Sequence, residues 1–254
     1  SDLVHFFVLA AALATSTALV SAPAAAQRAS NAITWGMNSE VETLDPYATS
    51  KRTTQLVVRN VVENLMVRDP ATGKALPALA TAWRWVDNTT LRIELRKGVQ
   101  FHDGSPFTAD DVVYTVDYIK NPANNASFAA ADYGFIKKAE KVDDFTINLL
   151  LEKPTPSAVD QLTQVLFILP KATHEKIGAR GFGAQAIGTG PMKVEKFEAG
   201  RQVQLVRNDK YYAAAWGKTR LDRISVLVIP DPQTANAEVS AGKVDFLWNI
   251  QPDQ

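Results

Sequence analysis

Residues 99–120, VQFHDGSPFTADDVVYTVDYIK, constrain the fold more than any other stretch of the chain. A strand end, a tight turn and a doubly marked helix start follow one another there without slack. Thr108 has the side chain of an N-cap, and Asp111 three places on is able to return a hydrogen bond from the cap's own backbone N–H, the reciprocal arrangement of a capping box. Phe107 before the cap and Val112 beyond it form a hydrophobic staple. Val112, Val113, Val116 and Ile119 recur at helical spacing, and Asp110 and Asp111 lie where the helix dipole favours negative charge. A helix therefore begins at Thr108. Upstream, Leu91, Ile93 and Leu95 alternate with Arg92, Glu94 and Arg96, the period of a half-buried strand, and His102-Asp103-Gly104-Ser105-Pro106 supplies the turn between the two elements.

The same reasoning extends along the chain. A strand is expected over 32–37, then a turn at Leu44-Asp45-Pro46-Tyr47, then a helix capped by Thr53 or Thr54 and running to about Met66 on an apolar face of Leu56, Val57, Val61 and Leu65. Residues 138–142 and 145–151 read as a hairpin around Asp143-Asp144, with Leu149, Leu150 and Leu151 in a row suggesting burial on both faces. A short helix over 157–164, a strand over 165–169, and a pair of strands over 192–197 and 202–207 follow. A β-branched strand over 223–229, a helix from Pro232 ending at Gly242, and a last strand over 244–250 complete the reading. Strands and helices alternating in this way point to a mixed α/β fold. The glycine-rich run 178–190 is the expected crossing between subdomains.

Composition narrows the function more than it names it. Twenty-seven basic against 27 acidic side chains, with 46% hydrophobic residues, describe an ordinary globular chain of one or two domains and give no electrostatic case for nucleic acid or an anionic membrane. No cysteine occurs, which excludes a disulfide framework, a thiolate metal site and a cysteine nucleophile. Residues 6–20 are almost wholly apolar or small, too short to span a bilayer, and Ala24-Ala25-Ala26 offers a signal-peptidase pattern, so 1–26 is expected to be a secretory signal peptide. The chain opens on Ser1 with no basic residue ahead of the apolar run, which suggests that a longer reading frame precedes it.

Several residues invite a chemical reading and a plainer one. His102-Asp103 is the start of many catalytic or metal sites, yet Asp-Gly is turn chemistry and no third ligand stands at metal spacing. Asp110-Asp111 resembles a glycosidase carboxylate pair, but adjacent helical residues point roughly 100° apart and capping explains both. Gly188-Thr189-Gly190-Pro191 lacks the Lys-Ser/Thr of a P-loop. His174 stands alone on an expected surface helix. No G-x-S-x-G occurs, so the reading is not an enzyme, with a secreted α/β hydrolase kept as the alternative from another class. No metal and no cofactor is implied.

Three stretches carry a resemblance: NSEVETLDPYATS near the front, LATAWRW with LRIELRKGVQFHDGSPFTADDVVYTVDYI, and GTGPMKVEKFEAGRQVQLVRNDKYY from Gly188 to Tyr212. In this order they resemble the family 5 solute-binding proteins, the extracytoplasmic receptors of peptide and nickel ABC importers. The resemblance implies a periplasmic-binding-protein type II-like mixed-sheet lobe with an inserted side subdomain. By analogy, 27–62 plus 186–254 form the main ligand-facing lobe and 63–185 the side subdomain, the second lobe being absent from this sequence. It further implies a periplasmic, monomeric receptor that closes on a peptide or similar small solute and delivers it to the membrane permease of an ABC importer. Receptors for nickel complexes, haem or sugars are alternatives on the same fold, and a truncated product without function of its own is another. Carried over by position, Thr49 and Ser50 in the loop after Leu-Asp-Pro would present backbone to the ligand. Lys51 and Arg52 would pair with a ligand carboxylate or remain solvated. Trp248 would supply apolar contact and Asn249 hydrogen bonding, and Phe128 and Tyr133 fall near a further aromatic wall. For each of these the alternative is structural: a capping loop, or core. The anchors for charged ligand termini would lie mostly on the second lobe, so the ligand's identity does not follow.

Overall fold

The computed structural model describes residues 31–126, 129–213 and 217–248; the expected signal peptide, Phe128 and Asn249 lie outside them. In chain order the elements are β1 (Ala32–Met37), α1 (Arg52–Val58), β2 (Met66–Arg68), β3 (Ala75–Pro77), β4 (Ala80–Asp87), β5 (Thr90–Leu95), α2 (Ala109–Lys120), α3 (Ala129–Asp132), β6 (Ile136–Asp143), β7 (Thr146–Leu151), α4 (Ala158–Leu162), α5 (Lys171–Ala184), β8 (Met192–Glu198), β9 (Gln202–Arg207), β10 (Arg223–Val228), α6 (Pro232–Ser240) and β11 (Phe246–Trp248). Beside the small two-stranded sheet β2-β3, two larger sheets organise them. One is mixed, in the order β11-β1-β10-β9-β8; the other is antiparallel, in the order β4-β5-β7-β6. The chain is therefore α/β, as its alternating pattern requires.

The antiparallel sheet is half-buried, and its alternation says so. Leu91, Ile93 and Leu95 on β5 and Ile147, Leu149 and Leu151 on β7 are buried, while Trp85 and Val86 on β4 are exposed. Helix α2 lies on the buried face. Its capping box forms: Thr108 N–H donates to Asp111 Oδ2 at 2.8 Å, and Phe107 and Val112 of the staple are both buried. Asp111 does more than cap its own helix, since its Oδ1 accepts from Lys171 N–H at 2.9 Å at the start of α5. Thr115, one turn on, accepts from Leu169 N–H at 2.9 Å. One turn of α2 thus fixes the chain that leads into α5.

Three sequence expectations are corrected by contacts distant in sequence. Helix α1 stops at Val58 instead of Met66. The Asn60 amide donates to the carbonyls of Leu56 and Val57, while the Asn60 and Val61 carbonyls accept from Met192 and Gly190 N–H, so the next turn is spent on the 188–192 segment. Residues 165–169 form no strand; they are a buried loop. Its backbone groups are satisfied singly, Ile168 N–H by Glu63 O and the Phe167 carbonyl by the Tyr47 hydroxyl at 2.6 Å. The first half of the glycine-rich run, to Ala184, belongs to helix α5, which is kinked at Gly178, whose φ of 68° is open to glycine. His174, expected on a surface, is buried: Tyr114 Oη lies 2.7 Å from its Nδ1, and Tyr118 and Phe182 pack edge-on against its ring.

The 188–190 turn is the clasp between the two sheets' surroundings. His102 N–H donates to Gly188 O at 2.9 Å, its Nε2 lies 2.9 Å from Gly190 O, and burial pushes the imidazole down to about 4. A Cβ on Gly188 would stand 2.0 Å from Val61 O, so glycine is required by close approach of backbone to backbone. Glu63 completes the clasp from beneath. Its buried carboxyl accepts from Thr189 Oγ1 at 2.8 Å and from the Tyr211 hydroxyl at 2.7 Å, and burial pushes it up to about 7 against the pull of those bonds.

Candidate functional site

The mixed sheet determines where a cleft opens. β1 runs parallel to both β10 and β11, with Trp35 opposite Phe246, Gly36 opposite Leu247 and Met37 opposite Trp248. In open sheets of this kind ligands bind beyond the carboxyl ends of the strands. At that end, a cleft of about 450 Å³ is lined by Asn38 and Ser39 leaving β1, Lys51, Arg52 and Thr53 at the start of α1, and Trp248 ending β11. Its aromatic wall is layered. Trp35 stacks on Phe246 at 5.4 Å and meets Trp248 edge-on at 6.3 Å, and the Arg52 guanidinium lies over the Trp248 ring, 5.6 Å from its centroid.

The loop that delivers Lys51 and Arg52 is held from several sides. Asp45 accepts from Tyr47 N–H at 2.8 Å, and burial pushes its carboxyl up to about 6. The Gln55 amide bonds the carbonyls of Pro46 and Thr49, and Thr53 Oγ1 reaches Glu40 O at 3.2 Å. Lys51 Nζ sits 2.5 Å from Glu42 Oε1.

Of the residues picked from the sequence, the structure brings Lys51, Arg52 and Trp248 to this one cleft. Thr49 and Ser50 stand just before it and are not among its lining; Thr49 Oγ1 accepts from Lys51 N–H at 3.1 Å, a use internal to the loop. Tyr133 lies in the core, its ring 5.7 Å from Tyr47, and also lines no part of the cleft. Asn38, Ser39 and the supporting Trp35 were missed. The position of Asn38 and Ser39 directly after the end of the first strand was the available signal, once that strand is taken as central and parallel.

The alternative chemistries can be placed as well. His102 is spent on the Gly188–Gly190 turn, and Asp103 accepts from Ser105 N–H and Oγ and from Thr173 Oγ1. Asp110 pairs with Lys141 at 2.9 Å while Asp111 caps two helices, so the two carboxylates do not flank a common space. Among the described residues no three His, Asp or Glu side chains converge on a metal position, and no helix is long and apolar enough to cross a membrane.

A mixed α/β lobe with a polar and aromatic cleft at the carboxyl ends of parallel strands is the build of a ligand-binding lobe. Residues 74–254 match the family described as Bacterial extracellular solute-binding proteins, family 5 Middle, and the chain belongs to that family. It is 30% identical to the glutathione-binding protein GsiB of Salmonella choleraesuis over 255 residues, 98% of this chain and 47% of that protein. Among solved structures it is similar to NikZ from Campylobacter jejuni in complex with Ni(L-His), with 29% identity and a TM-score of 0.74 over 84% of this chain and 42% of that one. It is also similar to the PBP/SBP MoaA in complex with mannopinic acid from A. tumefaciens R10, with 26% identity and a TM-score of 0.77 over 86% and 45%. The chain thus spans about half the length of these relatives. The family is one of solute-binding receptors and not of enzymes.

Proposed function

We propose that this chain is the first lobe of a periplasmic receptor that closes on a peptide or similar small solute and hands it to the permease of an ABC importer, without catalysing a reaction. The observation that carries the reading is the cleft itself. In a member of this family, the carboxyl ends of β1 and β11 present an indole face, two cations and three small polar side chains to one open space. The names of relatives that bind glutathione, mannopinic acid and Ni(L-His) support a small polar solute. A site with one wall here needs a second wall from elsewhere, and hinge closure of two lobes supplies it. On this reading 27–62 plus 186–254 form the ligand-facing lobe and 63–185 the side unit, in keeping with the mixed sheet drawing its strands from 32–37 and 192–248 and the antiparallel sheet from 80–151.

Calorimetry on the full-length gene product with a tripeptide library tests the reading. Trp248→Ala is expected to weaken binding by roughly tenfold or more, the loss of one stacked aromatic contact at a ligand, with the melting temperature nearly unchanged because the indole is only partly buried. Residues 27–254 alone are expected to bind weakly or not at all. Micromolar binding by this lobe alone, or full affinity in Trp248→Ala, would overturn the proposal.

A further inference from the structure

We infer that the solute this cleft accepts carries a carboxylate, gripped by the Arg52 guanidinium while a planar or apolar part of the solute lies along the Trp248 indole; the inference rests on the cleft being the ligand site. Lys51 and Arg52 are adjacent in sequence, and the sequence gives no reason to separate them. The structure separates them. Lys51 is neutralised in place by Glu42. Arg52 pairs with no carboxylate among the described residues, and its charge is left facing the cleft.

Arg52 is also oriented. Its guanidinium lies over an indole that is itself wedged edge-on by Trp35, which is stacked on Phe246. A guanidinium resting on an aromatic face keeps its in-plane N–H donors available, and that planar fork matches a carboxylate bidentately. The rest of the described lining is neutral or already paired: Asn38 carries an amide and Ser39 and Thr53 hydroxyls, and among the described residues no acidic side chain lines the cleft. A cationic group would meet unfavourable charge there, and a neutral one would leave the fork without a partner. An anion satisfies both the charge and the donors.

The test compares an Ala-X-Ala tripeptide library as free acids with the same library as C-terminal amides, on the full-length gene product, by native mass spectrometry and then calorimetry on the best pair. The wild type is expected to prefer the acid by about 10- to 100-fold, as for one charge-assisted bidentate pair. Arg52→Gln is expected to abolish that preference by lowering the affinity for the acid far more than for the amide, and Arg52→Lys to restore it only in part. Equal binding of acid and amide by the wild type, or an acid preference that survives in Arg52→Gln, overturns the inference and leaves the receptor reading intact. Failure of both libraries to bind overturns the peptide-receptor reading and the inference with it.

Discussion

Replacing Glu63 by Gln is expected to change the pH dependence of stability in one direction only. The folded carboxyl titrates at about 7 against an ordinary 4.5, because it is buried under the 188–190 turn. Between those values the native state keeps a proton that the unfolded chain has released. The sign follows: this stabilising contribution is full below the unfolded value and is lost as pH rises through the folded one. At about 1.36 kcal/mol per unit, the span comes to about 3 kcal/mol. The wild-type curve alone hides the effect. Asp45, raised to about 6, acts with the same sign. His102 and His174, both pushed down to about 4 by burial, act with the opposite sign, since the unfolded chain takes up protons first as pH falls below 6.5. Two falling and two rising contributions nearly cancel across roughly pH 4.5–6.5. Subtracting the Glu63→Gln curve from the wild-type curve removes the shared terms and leaves Glu63. Urea unfolding at intervals from about pH 4.5 to about pH 7.5 should show the variant gaining about 3 kcal/mol relative to wild type over that range. A difference constant to within about 0.5 kcal/mol would refute the claim that this carboxyl is held protonated inside the fold.

Two further substitutions probe the clasp and the helix start. Gly188→Ala forces a methyl to 2.0 Å from the Val61 carbonyl oxygen, where only backbone can yield; we expect a loss of about 1–3 kcal/mol or more by urea unfolding. Asp111→Ala removes acceptors for Thr108 N–H and Lys171 N–H together. A loss of about 2 kcal/mol, with faster amide exchange at both helix starts, is the expected outcome, and protection lost at α2 alone would contradict the shared cap.

What was legible from the sequence is what local chemistry decides. Helix α2 was readable because its cap, its staple and its apolar spacing all sit within a dozen residues, and β5 because Leu91, Ile93 and Leu95 alternate cleanly. Helix α1 was read too long because the groups that end it meet residues 190 and 192, some 130 positions away. The 165–169 loop reads as a strand by composition, yet its hydrogen bonds go to Glu63, Thr115 and Tyr47, which no periodicity reports. His174 was misplaced for the same reason, its partner Tyr114 lying on another helix. At the cleft, Lys51, Arg52 and Trp248 were named by resemblance, but the distinction between the two cations needed Glu42, and Asn38 and Ser39 needed the parallel register of β1 and β11.

Gly36 sits opposite Leu247, on the strand pair whose ends carry the cleft, and a single added methyl there would come within 2.6 Å of the Leu247 side chain and 3.2 Å of Val244. The sheet face at Gly36 is thus closed by the Leu247 and Val244 side chains, and the absence of a Cβ there is what lets them sit over the strand. A bulkier residue at that point has to turn the Leu247 side chain aside, so it presses first on the neighbour of the indole and not on any atom a guest would meet.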